Sequence, residues 1–187
     1  MSGPCQAPWS RLIATAALLG ALPLVSHGAQ GNAKADSCIL PAALRTAVQE
    51  RFGSSRVLAL SDLYEDERAT FNRNHNGACP GTTAGRFFGA GERPATAIVL
   101  LGVGPNKDMR LVVARPALSS WTFVELDRMD PGGTAVVSTG RPGDLKALPD
   151  VRTRMRDNDV VLLTAIETWQ RAYIWNGRSF EKLQTKD

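Results

Sequence analysis

From Pro94 onward the chain is written in short apolar runs of strand length. "ATAIVLLGVG", "MRLVVARP", "WTFVELDRM", "TAVVSTG", "DVVLLTAIE", "RAYIWN" and "SFEKLQ" follow one another, with "GPNKD", "DPGGT" and "NG" between neighbours. Their period-two, β-branched character predicts a strand for each, and the Gly/Pro/Asn/Asp clusters predict the turns. Asn176-Gly177 is the strongest hairpin signal, because that pair tolerates the positive φ of a type I′ turn.

The earlier part of the chain has a different period. In "CILPAALRTAVQERFG", Leu44, Val48 and Phe52 recur at i, i+4 and i+8, which predicts a helix with one apolar stripe. Pro41 sits near its start, where a missing N–H costs nothing, and Gly53 is placed to end it. "RVLALSDLY" predicts a strand and "EDERATFNRNHNGACPGTTAG" a turn-rich crossing. No strand alternates with a long helix, which disfavours a doubly wound parallel sheet. The fold class expected is α+β, an N-terminal helix packed on a twisted, mainly antiparallel β-sheet. Residues 140–159 carry two prolines and no sustained period, so they predict a long loop, with room for a short helix at "DLKAL".

Ahead of all this stands "MSGPCQAPWSR", with one positive charge and no acid, then the apolar run Leu12 to Val25 and then "SHGAQG". That order describes a secretory signal peptide, cut after Gly28. The run is shorter than the roughly 20 apolar residues of a membrane span. The domain organisation expected is a leader over 1–28, a linker over 29–37 and a single domain over 38–187, placed in the periplasm or secreted. Two of the three cysteines, Cys38 and Cys79, remain after processing. An even number in an exported chain predicts a disulfide between them.

Charge changes the picture little. The full chain carries +4, from 22 basic and 18 acidic residues, and the leader takes only Arg11 with it. Outside the cytosol this mild excess points away from nucleic acid and towards solubility or an acidic partner. The longest basic run is "RTRMR", holding Arg152, Arg154 and Arg156.

The stretch "GRFFGAGERPATAIVLL", residues 85–101, puts three glycines in front of a strand. A phosphate cradle needs a helix after the glycines, usually with Lys and Ser/Thr, and here Pro94 and a β-type run follow. "CPGTTAGRFFGAGERPATAIVLL" resembles the repeat of the FG-GAP/VCBS family, found in small exported bacterial proteins. The C-terminal "AYIWNGRSFEKLQTKD" resembles the closing hairpin of such proteins. Phe87, Gly89 and Gly91 match the repeat. Its calcium-ligand positions hold Arg86, Phe88 and Ala90, and the motif's last acid is missing near Pro94 and Ala95. Calcium takes six to eight oxygens, so the resemblance implies a propeller-blade-like sheet and no metal site. The glycines are expected to be turn residues, with Phe87 or Phe88 turned into the core.

Catalytic chemistry has little to draw on. His75 is the one histidine outside the leader, too few for a two-histidine metal site, and G-x-S-x-G is absent. Asp62, Glu65, Asp66 and Glu67 could supply a carboxylate pair for a cell-wall hydrolase, but such a run more commonly opens a solvated helix. Asp157 and Asp159 could touch a cation, without enough further ligands. The expectation is a non-catalytic domain without cofactor or metal, binding a protein or a cell-envelope polymer. Its binding residues would be Arg152, Arg154 and Arg156 with Trp169, Arg171 and Tyr173. The last three share one face of a strand with Trp175, where aromatic rings and a guanidinium either anchor a partner or form core with the arginine snorkelling.

Overall fold

The computed structural model describes residues 38–75, 77–103, 108–130, 134–141, 145 and 158–186, all inside one compact unit, Asn32–Asp187. The leader, the linker and Arg152, Arg154 and Arg156 lie outside the described residues.

The strands predicted from Pro94 onward are present, but they build two antiparallel sheets where one was expected. In the first, β3 (Ala95–Leu101), β4 (Met109–Pro116) and β5 (Trp121–Met129) form a meander. Two short strands, β1 (Arg56–Val57) and β2 (Thr82–Gly85), share the other edge of β3 end to end, pairing with Leu100–Leu101 and with Ala95–Ile98. The second sheet is the meander β6 (Val136–Gly140), β7 (Val160–Ala165), β8 (Trp169–Trp175) and β9 (Phe180–Lys186).

Burial explains the layering. β3 and β4 are apolar on both faces, which a sheet tolerates only when both sides are covered. One face, with Ile98, Leu100, Val112 and Ala114, receives Leu40, Leu44 and Val48 of the helix α1 (Ala42–Phe52) and its lead-in. The helix is closed by Gly53 at φ 62°, whose N–H bonds Gln49 O, and Phe52 meets Phe123 edge-on at 5.3 Å. Emptying a fully buried position such as Leu44 to alanine typically costs about 2–5 kcal/mol. The opposite face, with Ala97, Val99, Leu111 and Val113, packs against Val137, Val161, Leu163 and Tyr173 of the second sheet. The far side of that sheet (Val160, Ala172, Ile174) is covered in part by Leu145.

Both sides of the sandwich are closed by polar bonds. Along β2 and β6, Val137 N donates to Pro80 O (2.9 Å) and the hydroxyls of Thr83 and Thr139 meet at 2.7 Å. On the other side Asp127 of β5 reaches Arg171, Tyr173 and Lys182 of the second sheet. Cys38 and Cys79 form a disulfide, with Cα atoms 4.8 Å apart, which ties the lead-in of α1 to the approach to β2. Among the described residues no helix is long and apolar enough to cross a membrane.

Three local expectations are corrected. "RVLALSDLY" pairs only over Arg56–Val57 and then turns through a 3-10 segment, Leu60–Asp62. There Asp62 accepts from Ala59 N (2.8 Å) and from the Arg56 guanidinium (2.5 and 2.6 Å), which bends the chain away from the sheet. The turn-rich crossing contains a second helix, α2 (Glu65–His75), before β2. The Asn176-Gly177 hairpin exists, but its loop is four residues long, Asn176–Ser179. Gly177 alone takes the positive φ (98°), and Asn176 acts through its side chain, whose Oδ1 accepts from the N–H groups of Arg178 and Ser179 (2.9 Å each).

The glycine stretch forms the expected turn. Gly89 lies at φ 140°, Glu92 N bonds Gly89 O at 3.1 Å, and both Phe87 and Phe88 are buried. A Cβ on Gly85 would press into the Phe87 ring at 2.6 Å, so that glycine makes room for the aromatic.

Candidate functional site

The turn between β7 and β8 is three residues, Ile166, Glu167 and Thr168, flanked by the pair Ala165 and Trp169. Thr168 N donates back to Ala165 O at 3.1 Å. Closing so short a loop forces one residue left-handed, and Glu167 takes that role at φ 70°. It is the one non-glycine residue with positive φ among the described residues, a conformation that costs about 1–2 kcal/mol for a side chain with a Cβ.

This turn forms one lip of a cleft at the end of the sandwich. The opposite lip is the start of α2. Glu67, in the third helical position, accepts from Tyr64 N at 3.1 Å and so satisfies one of the N–H groups left free at the helix start. The same carboxylate accepts the hydroxyl of Thr134. Tyr64 itself is 64 % exposed. Met109 and Met129 floor the space, which measures about 350 Å³ and is also lined by Asp130, Trp169 and Arg171. A second hollow of about 430 Å³ shares Tyr64, Glu67, Ile166 and Thr168 with it and adds Asp66 and Glu167.

Behind the cleft the strand face made by Trp169, Arg171, Tyr173 and Trp175 turns inward, and the structure gives each residue a different role. Arg171 lies with its guanidinium 4.3 Å from the Trp169 ring centroid and donates to Asp127 Oδ2 at 2.9 Å. Tyr173 is 1 % exposed, and its hydroxyl donates to the same oxygen. A ring buried that deeply cannot stack on a ligand, so Tyr173 is core and the binding role expected of it is withdrawn. Trp175 packs with Phe88 and Phe180, with centroids 5.0 and 5.2 Å away. Trp169 and Arg171 are the members of this face that line the cleft.

Lys182 Nζ completes the Asp127 cluster at 2.8 Å. Burial alone would raise the Asp127 carboxyl. Hydrogen bonds from Lys182 and Tyr173, with the charges of Lys182 and Arg171, outweigh it and hold the group below the ordinary aspartate value. Burial, followed by the bond to Asp127, pushes the Tyr173 phenol far up.

Other candidates are placed as follows. His75 closes α2 with its ring stacked on Phe71 at 4.5 Å, and burial lowers its pKa. Asp62 is held by Arg56, and Glu65, Asp66 and Glu67 make up the first turn of α2, where carboxylates favour the helix dipole. Asp159 accepts from Arg86 N at 2.7 Å, which clamps the glycine turn to the start of β7. Asp157 lies outside the described residues. Among the described residues no three His, Cys, Asp or Glu side chains gather as metal ligands would.

Larger hollows, about 770 and 710 Å³, flank the tip of the β4–β5 hairpin. Arg115 and Glu92 in the second of them pair with each other at 2.8 Å. Trp121, Phe123, Glu50 and Arg51 line the first of them, and the smaller cleft adds two thioethers to aromatic and charged groups of the same kinds. Pattern reading missed Tyr64, the two methionines, Glu167 and Asp127. The signals present were the tyrosine directly before an acidic helix start and a three-residue gap between two strands.

No family model, curated protein or solved structure matches the chain.

Proposed function

We propose that this is a non-catalytic exported domain that binds a macromolecular partner through the cleft between Tyr64 and Trp169. The observation that carries this reading is Tyr64, a large ring 64 % exposed on the lip of a cleft whose floor is apolar and whose wall holds a tryptophan and an arginine. Tyrosine, tryptophan and arginine are the residues that most often dominate binding energy at protein interfaces. The leader pattern over residues 1–28 and the Cys38–Cys79 disulfide support export.

The test is capture from envelope extract by the processed protein, wild type beside Tyr64→Ala. A hot-spot tyrosine contributes about 2 kcal/mol, so retention of the specific partner should fall roughly thirtyfold. Equal recovery of the same partner by both proteins would remove the cleft from the account.

A further inference from the structure

We propose that the cleft takes a cationic segment of its partner, a lysine- or arginine-bearing peptide. This rests on the cleft being the binding site and goes further by naming the chemistry it selects. The chain is basic overall, yet Asp66, Glu67, Asp130 and Glu167 line the cleft and its adjoining hollow, against Arg171 as the single cation among the described lining residues. The charge of Arg171 already faces Asp127.

None of the four acids has a cationic partner among the described residues. Asp66 accepts from Glu67 N, Glu67 from Tyr64 N and the Thr134 hydroxyl, and Glu167 from the Thr70 hydroxyl at 3.5 Å. All of these donors are neutral. Arg73, close by, bonds Thr70. Elsewhere Asp62, Glu92, Asp108, Glu125 and Asp127 each hold an arginine or lysine. Four acids without an ion pair among the described residues thus gather where the apolar cleft opens.

A long basic side chain fits both features at once. Its aliphatic stem covers Met109 and Met129, its head reaches the carboxylates, and the Tyr64 and Trp169 rings add attraction for a cation. The cleft and its neighbour share four lining residues, so together they make a trough, the shape of a chain segment more than of a point ion.

The test is titration calorimetry of the processed protein with capped penta-lysine, penta-glutamate and penta-alanine peptides, at low and at physiological salt. Lysine peptide should bind, alone of the three, and bind more weakly as salt screens the rim. The double variant Asp130→Asn with Glu167→Gln, checked for an unchanged circular dichroism spectrum, should weaken it about fivefold to tenfold. Overturning results are equal or tighter binding of the glutamate peptide, no binding of the lysine peptide, or lysine binding that the double variant leaves unchanged. Tyr64→Ala separates the two readings: a partner lost on Tyr64→Ala but indifferent to the acids keeps the cleft and removes its cationic selectivity.

Discussion

Replacing Asp127 with alanine deletes the carboxylate on which three donors from the second sheet converge, and leaves those donors facing one another. The cost divides unequally. Lys182 is 46 % exposed at its side chain, and a solvated pair of that kind contributes about 0.5 kcal/mol. Tyr173 is buried, and losing a hydrogen bond from a buried hydroxyl to a charged acceptor costs about 1.5–3 kcal/mol. Arg171 keeps its stack on Trp169 but loses its carboxylate, and its Nε is already buried without a partner. Together these give a loss of about 2–4 kcal/mol for Asp127→Ala. Asp127→Asn, which keeps an acceptor for Tyr173, should cost about 1–2 kcal/mol, and Lys182→Met less than about 1 kcal/mol. Urea unfolding followed by tryptophan emission measures all three, with an unchanged m-value showing that only stability moved. The pH profile gives an independent reading. The folded Asp127 carboxyl lies below its unfolded value, so its contribution is complete above the ordinary aspartate pKa of about 4 and disappears as pH falls below it. Tyr173 is shifted up, so its contribution is complete below the ordinary tyrosine pKa of about 10 and is lost as pH rises beyond it. The acid slope should flatten in Asp127→Ala, while the alkaline slope, whose first cause is the burial of Tyr173, should shrink but persist. The reasoning fails if Asp127→Ala unfolds within about 0.5 kcal/mol of wild type, or if Lys182→Met costs as much as Asp127→Ala.

Two further outcomes test the frame of the site. Glu167→Gly relieves the left-handed backbone at φ 70° and should stabilise the domain by roughly 0.5–1 kcal/mol after the entropy lost to glycine; a lower urea midpoint would contradict the strain. Opening the Cys38–Cys79 bridge, which spans a sequence separation of 41, should cost about 3–4 kcal/mol in the chain-entropy model. The comparison is urea unfolding of the oxidised protein with Cys38→Ser/Cys79→Ser, and coincident curves would deny the bridge its part in stability.

Much of the framework is legible in the chain. Leu44, Val48 and Phe52 announce α1, and the strand runs fall where the strands are. What alternation cannot say is which strands share a sheet, and here the clue lay in "AIVLL" and "LVV", continuous apolar runs that need cover on both faces. Of α2 only the acidic start was legible, because the rest of "EDERATFNRNH" buries one residue, Phe71, and so shows no stripe. Asp127 escaped for a subtler reason. Strict alternation from Phe123 and Glu125 would turn Asp127 towards the α1 side. The pairing of β4 with β5 jumps between Leu111 and Val112, so that Leu126 is the extra residue and Asp127 comes opposite Leu111 on the inner face. A bulge resets the phase of a strand, and nothing in "FVELDRM" announces one. The cleft depends on α2 and on a turn conformation, so its parts were visible singly and their meeting was not.

One outer strand of each sheet, β5 and β9, carries the same device. β5 carries its surplus residue at Leu126, and β9 carries one at Thr185, whose hydroxyl is turned back onto Gln170 O. A foreign strand laid along either rim would find donors and acceptors falling out of step partway along. Neither of these two rims therefore offers a template for fibrous growth.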